Sequence, residues 1–250
     1  MQDGTLRASA ESPTIHDDLF LGNKQKANTM HAGRVWGRVL VAVVVLWGGA
    51  ALSAAEPEPG WVALCNGRNL DGWVQHNGTA TYRWEDGAVV GRTAENSPNS
   101  FLCTVKDYGD FELKFDVKVD DQLNSGVQIR SISKPEIKNG RVHGPQVEIA
   151  AGGASGYIYG EGLTMGWLSK QRDPKLNAAF KKGEWNQYVV KAVGKSIKTW
   201  INGVPVADLT DEETNQSCGF IGLQVHGIQR GTGPYEVRWR NLTLKDLSKP

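Results

Sequence analysis

Apolar and polar residues alternate with a period of two along "DFELKFDVKV" (110–119). Phe111, Leu113, Phe115, Val117 and Val119 share one face, and Glu112, Lys114, Asp116 and Lys118 share the other. This is the pattern of a strand with one side in a core and one in water. Shorter runs of the same kind recur from Trp61 onward: "YRWE", "AVVGR", "SFLCTV", "SGVQIRS", "PQVEIA", "GYIYG", "EWNQYVVKAV", "IKTWI", "VPVADL", "GFIGLQVHG" and "EVRWRNLTLK". The Asn-Gly pair in "ING" (201–203) predicts a tight hairpin. In the last run Val237 and Trp239 share a face before the apolar register passes to Leu242 and Leu244, a slip that predicts a bulge near Asn241. No segment has helical periodicity, and "DPKLNAAFKKG" (173–183) predicts one or two turns at most. A series of short strands with glycine turns predicts an all-β fold, a two-sheet antiparallel jelly-roll sandwich.

Three of these strands carry an unusual polar face. In "HGPQVEIAAGG" (143–153), Val147 and Ile149 point one way and Gln146 and Glu148 the other. "SGVQIRS" sets Gln128 and Arg130 opposite Val127 and Ile129, and "GLQVHG" sets Gln224 and His226 opposite Leu223 and Val225. Solvated sheet faces favour Lys, Glu and Thr, whereas these strands carry directional hydrogen-bonding groups. As neighbours they would form one platform able to hold several sugar hydroxyls. Tyr157 and Tyr159 of "GYIYG" and Trp167 of "MGWLS" offer flat surfaces for a sugar ring. The connection from Ser133 to Gly144, with Arg141 and His143, is expected to form a rim. The competing reading of each strand alone is an ordinary solvated face.

Composition narrows the class. The 250 residues carry a net charge of +1, with 30 glycines and 9 tryptophans, which suits one β domain plus appendages and gives no basic footprint for nucleic acid. Arg34 and Arg38 flank the apolar run "VLVAVVVLW" (39–47), which small residues follow up to Ala55. This reads as a secretory signal over 30–55 cleaved after Ala55, giving an exported protein, periplasmic or extracellular, with no stable membrane span. Residues 1–29 read as a disordered lead or a start-site artefact, 56–60 as a linker, and 61–247 as the folded domain. Of the cysteines in the folded part, Cys103 and Cys218 lie in apolar strand-like contexts and are expected to be buried, with at most one disulfide in the domain.

No zinc spacing, G-x-S-x-G elbow or phosphate-cradling loop is present. The paired carboxylates of an ordinary glycosidase are missing as well, since the central strand offers only Glu148.

The block "WVALCNGRNLDGW" resembles the opening motif L-F-N-G-x-D-L-x-G-W of the 3-keto-disaccharide hydrolase family. "YGDFELKFDVKV", "NSGVQIR", "SGYIYG", "GEWNQYVVKAVGKSIKTWINGVPVAD", "GFIGLQVHG" and "VRWRNLTLKDL" follow in the family's order, over roughly residues 60 to 247. The resemblance implies a concanavalin A-like lectin/glucanase sandwich, an exported location and action on oxidised glycosides or disaccharides. Two positions depart from it: Gln146-Val147-Glu148 stands where many members read E-x-Q, and Cys65 replaces the usual Phe. The implied chemistry is removal of a proton beside a keto group, loss of the C1 substituent and re-addition of water, which needs one base and an oxyanion stabiliser. Glu148 is the expected base, or His226 if Glu148 is tied to Arg130; Arg130 or a divalent metal is the expected stabiliser. Gln128, Gln146, Gln224 and His143 are expected to hold hydroxyls, with Tyr159 and Trp167 against the ring. A carbohydrate-binding or cell-surface interaction module without turnover is the alternative, and a deep pocket around Glu148, Arg130 and His226 would separate the two.

Overall fold

The computed structural model describes residues 58–248, so the expected lead, secretory signal and cleavage point lie outside the described residues. Fourteen strands follow in order: β1 (Trp61–Ala63), β2 (Trp73–His76), β3 (Thr81–Glu85), β4 (Ala88–Arg92), β5 (Ser100–Thr104), β6 (Phe111–Val119), β7 (Asn124–Ser131), β8 (Gly144–Ala150), β9 (Ile158–Glu161), β10 (Asn186–Val193), β11 (Ser196–Ile201), β12 (Val204–Thr210), β13 (Phe220–Val225) and β14 (Glu236–Asp246). All pair antiparallel, in two sheets. One has the order β12-β11-β10-β6-β14-β4-β3, with β1 added along β14, and the other the order β2-β5-β13-β7-β8-β9. This is the jelly roll that the strand pattern predicts. Among the described residues no helix is long and apolar enough to cross a membrane.

The predicted alternation of β6 is realised, with Phe111, Leu113, Phe115, Val117 and Val119 all buried. They meet Val127, Ile129, Val147, Ile149, Ile221 and Leu223 from the six-stranded sheet in one apolar cluster. Each such side chain contributes about 1.5–3 kcal/mol on burial, so this interlayer holds the sandwich together. The hairpin between β11 and β12 turns at Asn202 (φ 50°) and Gly203 (φ 81°), as the Asn-Gly signal predicts. The β14–β6 register shifts between Arg240 and Thr243, with Asn241 at φ 53°, where the apolar slip predicts a bulge. The 173–183 segment makes one short 3-10 helix, Pro174–Ala179. Cys103 is buried as expected. Cys218 is exposed instead, because it lies in the loop ahead of β13 and not in the strand.

A second bulge was not visible in the alternation. Across β7 and β13, Gln128 pairs with Gly222 but Ser131 pairs with Phe220, so β7 spends one extra residue there. Arg130 takes the left-handed conformation at φ 48°. Gly219 permits the close approach of β7, since a Cβ there would lie 2.4 Å from the Ser131 carbonyl oxygen.

The bulge corrects the expectation that Arg130 shares a face with Glu148. Its side chain is 2% exposed, and the guanidinium donates to the carbonyls of Gly109 (2.7 Å) and Gly194 (2.6 Å) and to Asp110 (2.9 Å). Those partners lie just before β6 and in the β10–β11 turn, so Arg130 ties the two sheets together and is not available as an oxyanion stabiliser. Arg130→Met should cost about 3 kcal/mol, because two carbonyls lose a charged donor and Asp110 loses its ion pair, keeping only the Gly194 N–H. Urea unfolding followed by tryptophan fluorescence measures this; a loss below about 1 kcal/mol would contradict the tie.

Candidate functional site

The outward face of the six-stranded sheet carries Gln128 on β7, Gln146 and Glu148 on β8, and Gln224 on β13. All are buried, Glu148 at 6% exposure and the others at 1% or less. A solvated face would leave them wet, so this is a covered polar layer; Gln128, Gln146 and Glu148 satisfy one another, while the buried Gln224 Oε1 has no hydrogen-bond partner among the described residues. Gln146 Nε2 donates to Glu148 Oε1 at 2.7 Å, and Asn124 Nδ2 donates to Glu148 Oε2 at 3.0 Å. Gln128 Nε2 donates to Gln146 Oε1 at 2.6 Å. Gly126 pairs with Glu148 across the sheet, and a Cβ on it would lie 2.5 Å from Gln146 Cδ. The missing side chain is therefore the space through which Gln146 reaches Glu148.

Two loops build walls over this layer and leave a cavity of about 580 Å³. The rim predicted between Ser133 and Gly144 supplies Lys138 and Arg141. Asn77 clamps it, donating to the Gly140 carbonyl (3.0 Å) and accepting from Val142 N–H (2.8 Å). The loop after β9 supplies Leu163 and Trp167, whose indole meets the Tyr159 ring edge-to-face at 5.2 Å. Arg172 lies 4.1 Å over the Trp167 ring. Tyr159 and Trp167 thus line the cavity, whereas Tyr157 is buried in the core and its hydroxyl accepts from Asp173 N–H at 2.7 Å.

Glu148, Gln146 and Asn124 line the floor, with His226 and Asn99 at the β13 side. Burial pushes the Glu148 carboxyl above its ordinary range. The Asn124 and Gln146 donors oppose that rise, the nearby Glu161 charge adds to it, and His226 opposes it. His226 is exposed, and its Nδ1 lies 2.7 Å from the Gly227 carbonyl. A carbonyl only accepts, so Nδ1 carries the proton and Nε2 is the acceptor of the neutral ring.

Other expectations need correction. Gln128 and Gln224 stand on the predicted face but are completely buried behind the cavity wall, so neither meets a ligand directly. His143 is buried as well. Its pairing with Ile132 draws it into the sheet beneath Gly162, and its Nδ1 lies 2.8 Å from the Arg141 carbonyl. The sequence reading missed Glu161, a second buried carboxylate on the cavity wall, which accepts from Arg141 (3.2 Å) and from Gln224 Nε2 (3.3 Å). Its signal was the continuation of the outward alternation from Tyr159 to Glu161. Asn124 was missed similarly, two residues ahead of Gly126 on the same strand face.

Among the described residues no three His, Cys, Asp or Glu side chains converge to hold a metal ion, so the donor set does not fit one. A cavity of similar volume, about 590 Å³, flanks Trp200 and Lys191 on the outer face of the eight-stranded sheet, but no acid or histidine lines it. The carboxylates and the histidine, not the volume, single out the six-stranded sheet.

A model of the family described as 3-keto-alpha-glucoside-1,2-lyase-like domain matches residues 60–245. A candidate glycosyl hydrolase from Parabacteroides distasonis ATCC 8503 is similar in structure, with TM-score 0.54 and 23% identity over 75% of this chain and 94% of that one. A second from the same organism gives TM-score 0.51 and 21% identity, over 75% and 99%. A carbohydrate-binding module from Bacillus subtilis gives TM-score 0.47 and 17% identity, over 70% and 96%. At these identities the likeness is one of fold. No curated protein matches the chain significantly.

The Gly126 gap can be tested directly. Gly126→Ala should destabilise by about 1–3 kcal/mol, as overpacking does. Gly152→Ala, where a Cβ would meet nothing within 4 Å, should change stability by less than about 0.5 kcal/mol. Urea midpoints of the two variants decide; equal midpoints would mean that Gln146 does not need the gap.

Proposed function

The chain belongs to the 3-keto-disaccharide hydrolase family, whose domain is described as 3-keto-alpha-glucoside-1,2-lyase-like, and on that footing we propose that it cleaves the glycosidic bond of 3-keto glycosides by elimination and hydration. A carbohydrate-related role follows from the family itself. The observation that carries the finer reading is Glu148, a buried carboxylate on the floor of a polar cavity, with one donor on each oxygen and its proton affinity raised by burial. A base tuned upward from the ordinary carboxylate range is suited to taking a carbon-bound proton near neutral pH.

In the proposed reaction Glu148 removes the C2 proton, and the C2–H electron pair forms a C2=C3 bond with negative charge on the C3 oxygen. Arg141 and Lys138 on the rim stabilise that charge, in place of Arg130. The electrons return to restore C3=O and form C1=C2, the bond from C1 to the departing oxygen breaks, and His226 as imidazolium protonates the leaving alcohol. Water then adds at C1 and gives its proton to the neutral His226, restoring the imidazolium, while Glu148 returns a proton to C2. The sum is hydrolysis with no net oxidation, and Glu148 and His226 each serve once as base and once as acid. Tyr159 and Trp167 flank the ring. The reading includes export with cleavage after Ala55, which rests on the basic, apolar and small-residue pattern of residues 30–55.

Incubation with a 3-keto glucoside in D₂O, followed by NMR, should release the alcohol and place deuterium at C2 of the keto sugar, with unoxidised glucoside left intact. Binding without release would favour the carbohydrate-binding reading. Glu148→Gln should lower kcat/KM by about 10²- to 10⁴-fold. The base must be ionised, so activity should fall as pH drops through the Glu148 pKa, which burial raises above the ordinary value of about 4.3. Full activity in Glu148→Gln would refute the assignment, as would an acid limb near 4 in the unmutated protein.

A further inference from the structure

Ser131 and Gln128 are both wholly buried and neither lines the cavity, yet they are bonded to each other and toward the site. Ser131 Oγ donates to Gln128 Oε1 at 2.6 Å, Gln128 Nε2 to Gln146 Oε1 at 2.6 Å, and Gln146 Nε2 to Glu148 Oε1 at 2.7 Å. We infer that Ser131 and Gln128 are positioning residues, a relay of donors that holds Gln146, and through it the carboxylate of Glu148, in one orientation. Its catalytic consequence rests on the proposed role of Glu148 as the base.

The polarity of the relay is forced. An ionised carboxylate only accepts, so Gln146 must present its amino group to Glu148. That leaves Gln146 Oε1 for Gln128, which must donate; Gln128 Oε1 then faces Ser131, which must donate in turn. Every amide is oriented by its neighbour, and the dipoles add along the chain toward Glu148. Ser131 completes the relay because of the β7 bulge. Three residues apart in a regular strand, Gln128 and Ser131 would point to opposite faces. The extra residue at Arg130 resets the parity and returns Ser131 to the face of Gln128. One irregularity thus sends Arg130 into the sheet-to-sheet contact and brings Ser131 to the polar layer.

Between them, Gln146 and Asn124 occupy one lone pair on each Glu148 oxygen and leave one on each for the cavity. Fixing the carboxylate this way holds its free lone pairs toward the substrate and favours its ionised form. Glu161 from β9 and His226 after β13 also act on Glu148, Lys138 and Arg141 line the same cavity from the rim, and the Tyr188 hydroxyl of β10 is 3.5 Å from the Glu148 carbonyl. None of them bonds to Ser131 or Gln128, so substitutions at the far end of the relay leave these groups in place.

The test is the titration of Glu148 in the free full-length protein, read by NMR of ¹³C-labelled glutamate carboxyls and assigned with Glu148→Gln. Gln128→Met should raise the Glu148 midpoint by roughly half a pH unit, and Ser131→Ala by less in the same direction. The acid limb of kcat/KM should move with it. Ser125→Ala is the structural control: Ser125 is equally buried on β7 but donates to the Gln224 carbonyl (2.7 Å), outside the relay, and it should leave the midpoint unchanged. Ser131→Ala removes a single oxygen atom and serves as the reporter if Gln128→Met does not fold. An unshifted midpoint in folded Ser131→Ala, or an equal shift in Ser125→Ala, overturns the relay. A shifted midpoint in a protein that cleaves no keto glycoside would uphold the relay and reject the proposed reaction, so the two failures are distinguishable.

Discussion

A carboxylate taken almost entirely out of water must be met by hydrogen-bond donors or give up its charge. At Glu148 that demand organises one whole side of the six-stranded sheet. Asn124 and Gln146 answer it directly. Gln146 can do so only because Gly126 has no side chain in its path. Gln146 then needs a donor of its own, which is Gln128, and Gln128 needs Ser131. Replacing any one of these groups by an apolar residue leaves a buried polar atom without a partner, and that costs more than the net value of the bond it made.

The two sheets share a core but carry different burdens on their outer faces. The eight-stranded sheet turns Glu112, Lys114, Asp116 and Lys118 outward, where they are at least partly exposed. The six-stranded sheet buries its outer polar residues, which requires loops over it. A small apolar cluster of Phe101, Cys103, Val142 and Phe220 seals one flank of that face, with the His76 ring stacked against Phe220. Excluding water there strengthens the hydrogen bonds of the polar layer and the interaction between the buried Glu148 and Glu161.

How much of this was legible in the sequence depended on how local its cause is. The β6 strand, the Asn202-Gly203 hairpin and the bulge at Asn241 each leave a mark within a few residues, so alternation and turn chemistry reveal them. The β7 bulge does not. Val127 and Ile129 alternate without a break, and the extra residue is imposed by Gly219 and Phe220 on the paired strand, nearly a hundred positions away. Arg130 was misplaced for that reason. The depth of Gln128 and Gln224 was equally hidden, since period two assigns a face and says nothing of what covers it. Glu161 escaped because its partners, Arg141 and Gln224, are joined to it only by the fold.

The division of the site between strands and loops has a consequence for chemistry. Glu148, Gln146 and Asn124 sit on paired strands, whose ladders fix them to a fraction of an ångström, and a base needs that precision. Lys138, Arg141 and Trp167 sit on connections that can change length and sequence without disturbing the sheets. Even so, the rim is no slack segment. Lys138 and Asn139 hold left-handed angles of 50° and 52°, and Asn77 and Ser133 clamp the Gly140 carbonyl beside them. Non-glycine residues hold such angles only where their surroundings over-determine them, and that is the case where a loop must present a cation at a set place. In the proposed reaction proton transfer falls to the fixed geometry of the sheet, and discrimination among sugars and leaving groups to the clamped loops, where one substitution alters the walls of the cavity and leaves Glu148 and its donors as they were.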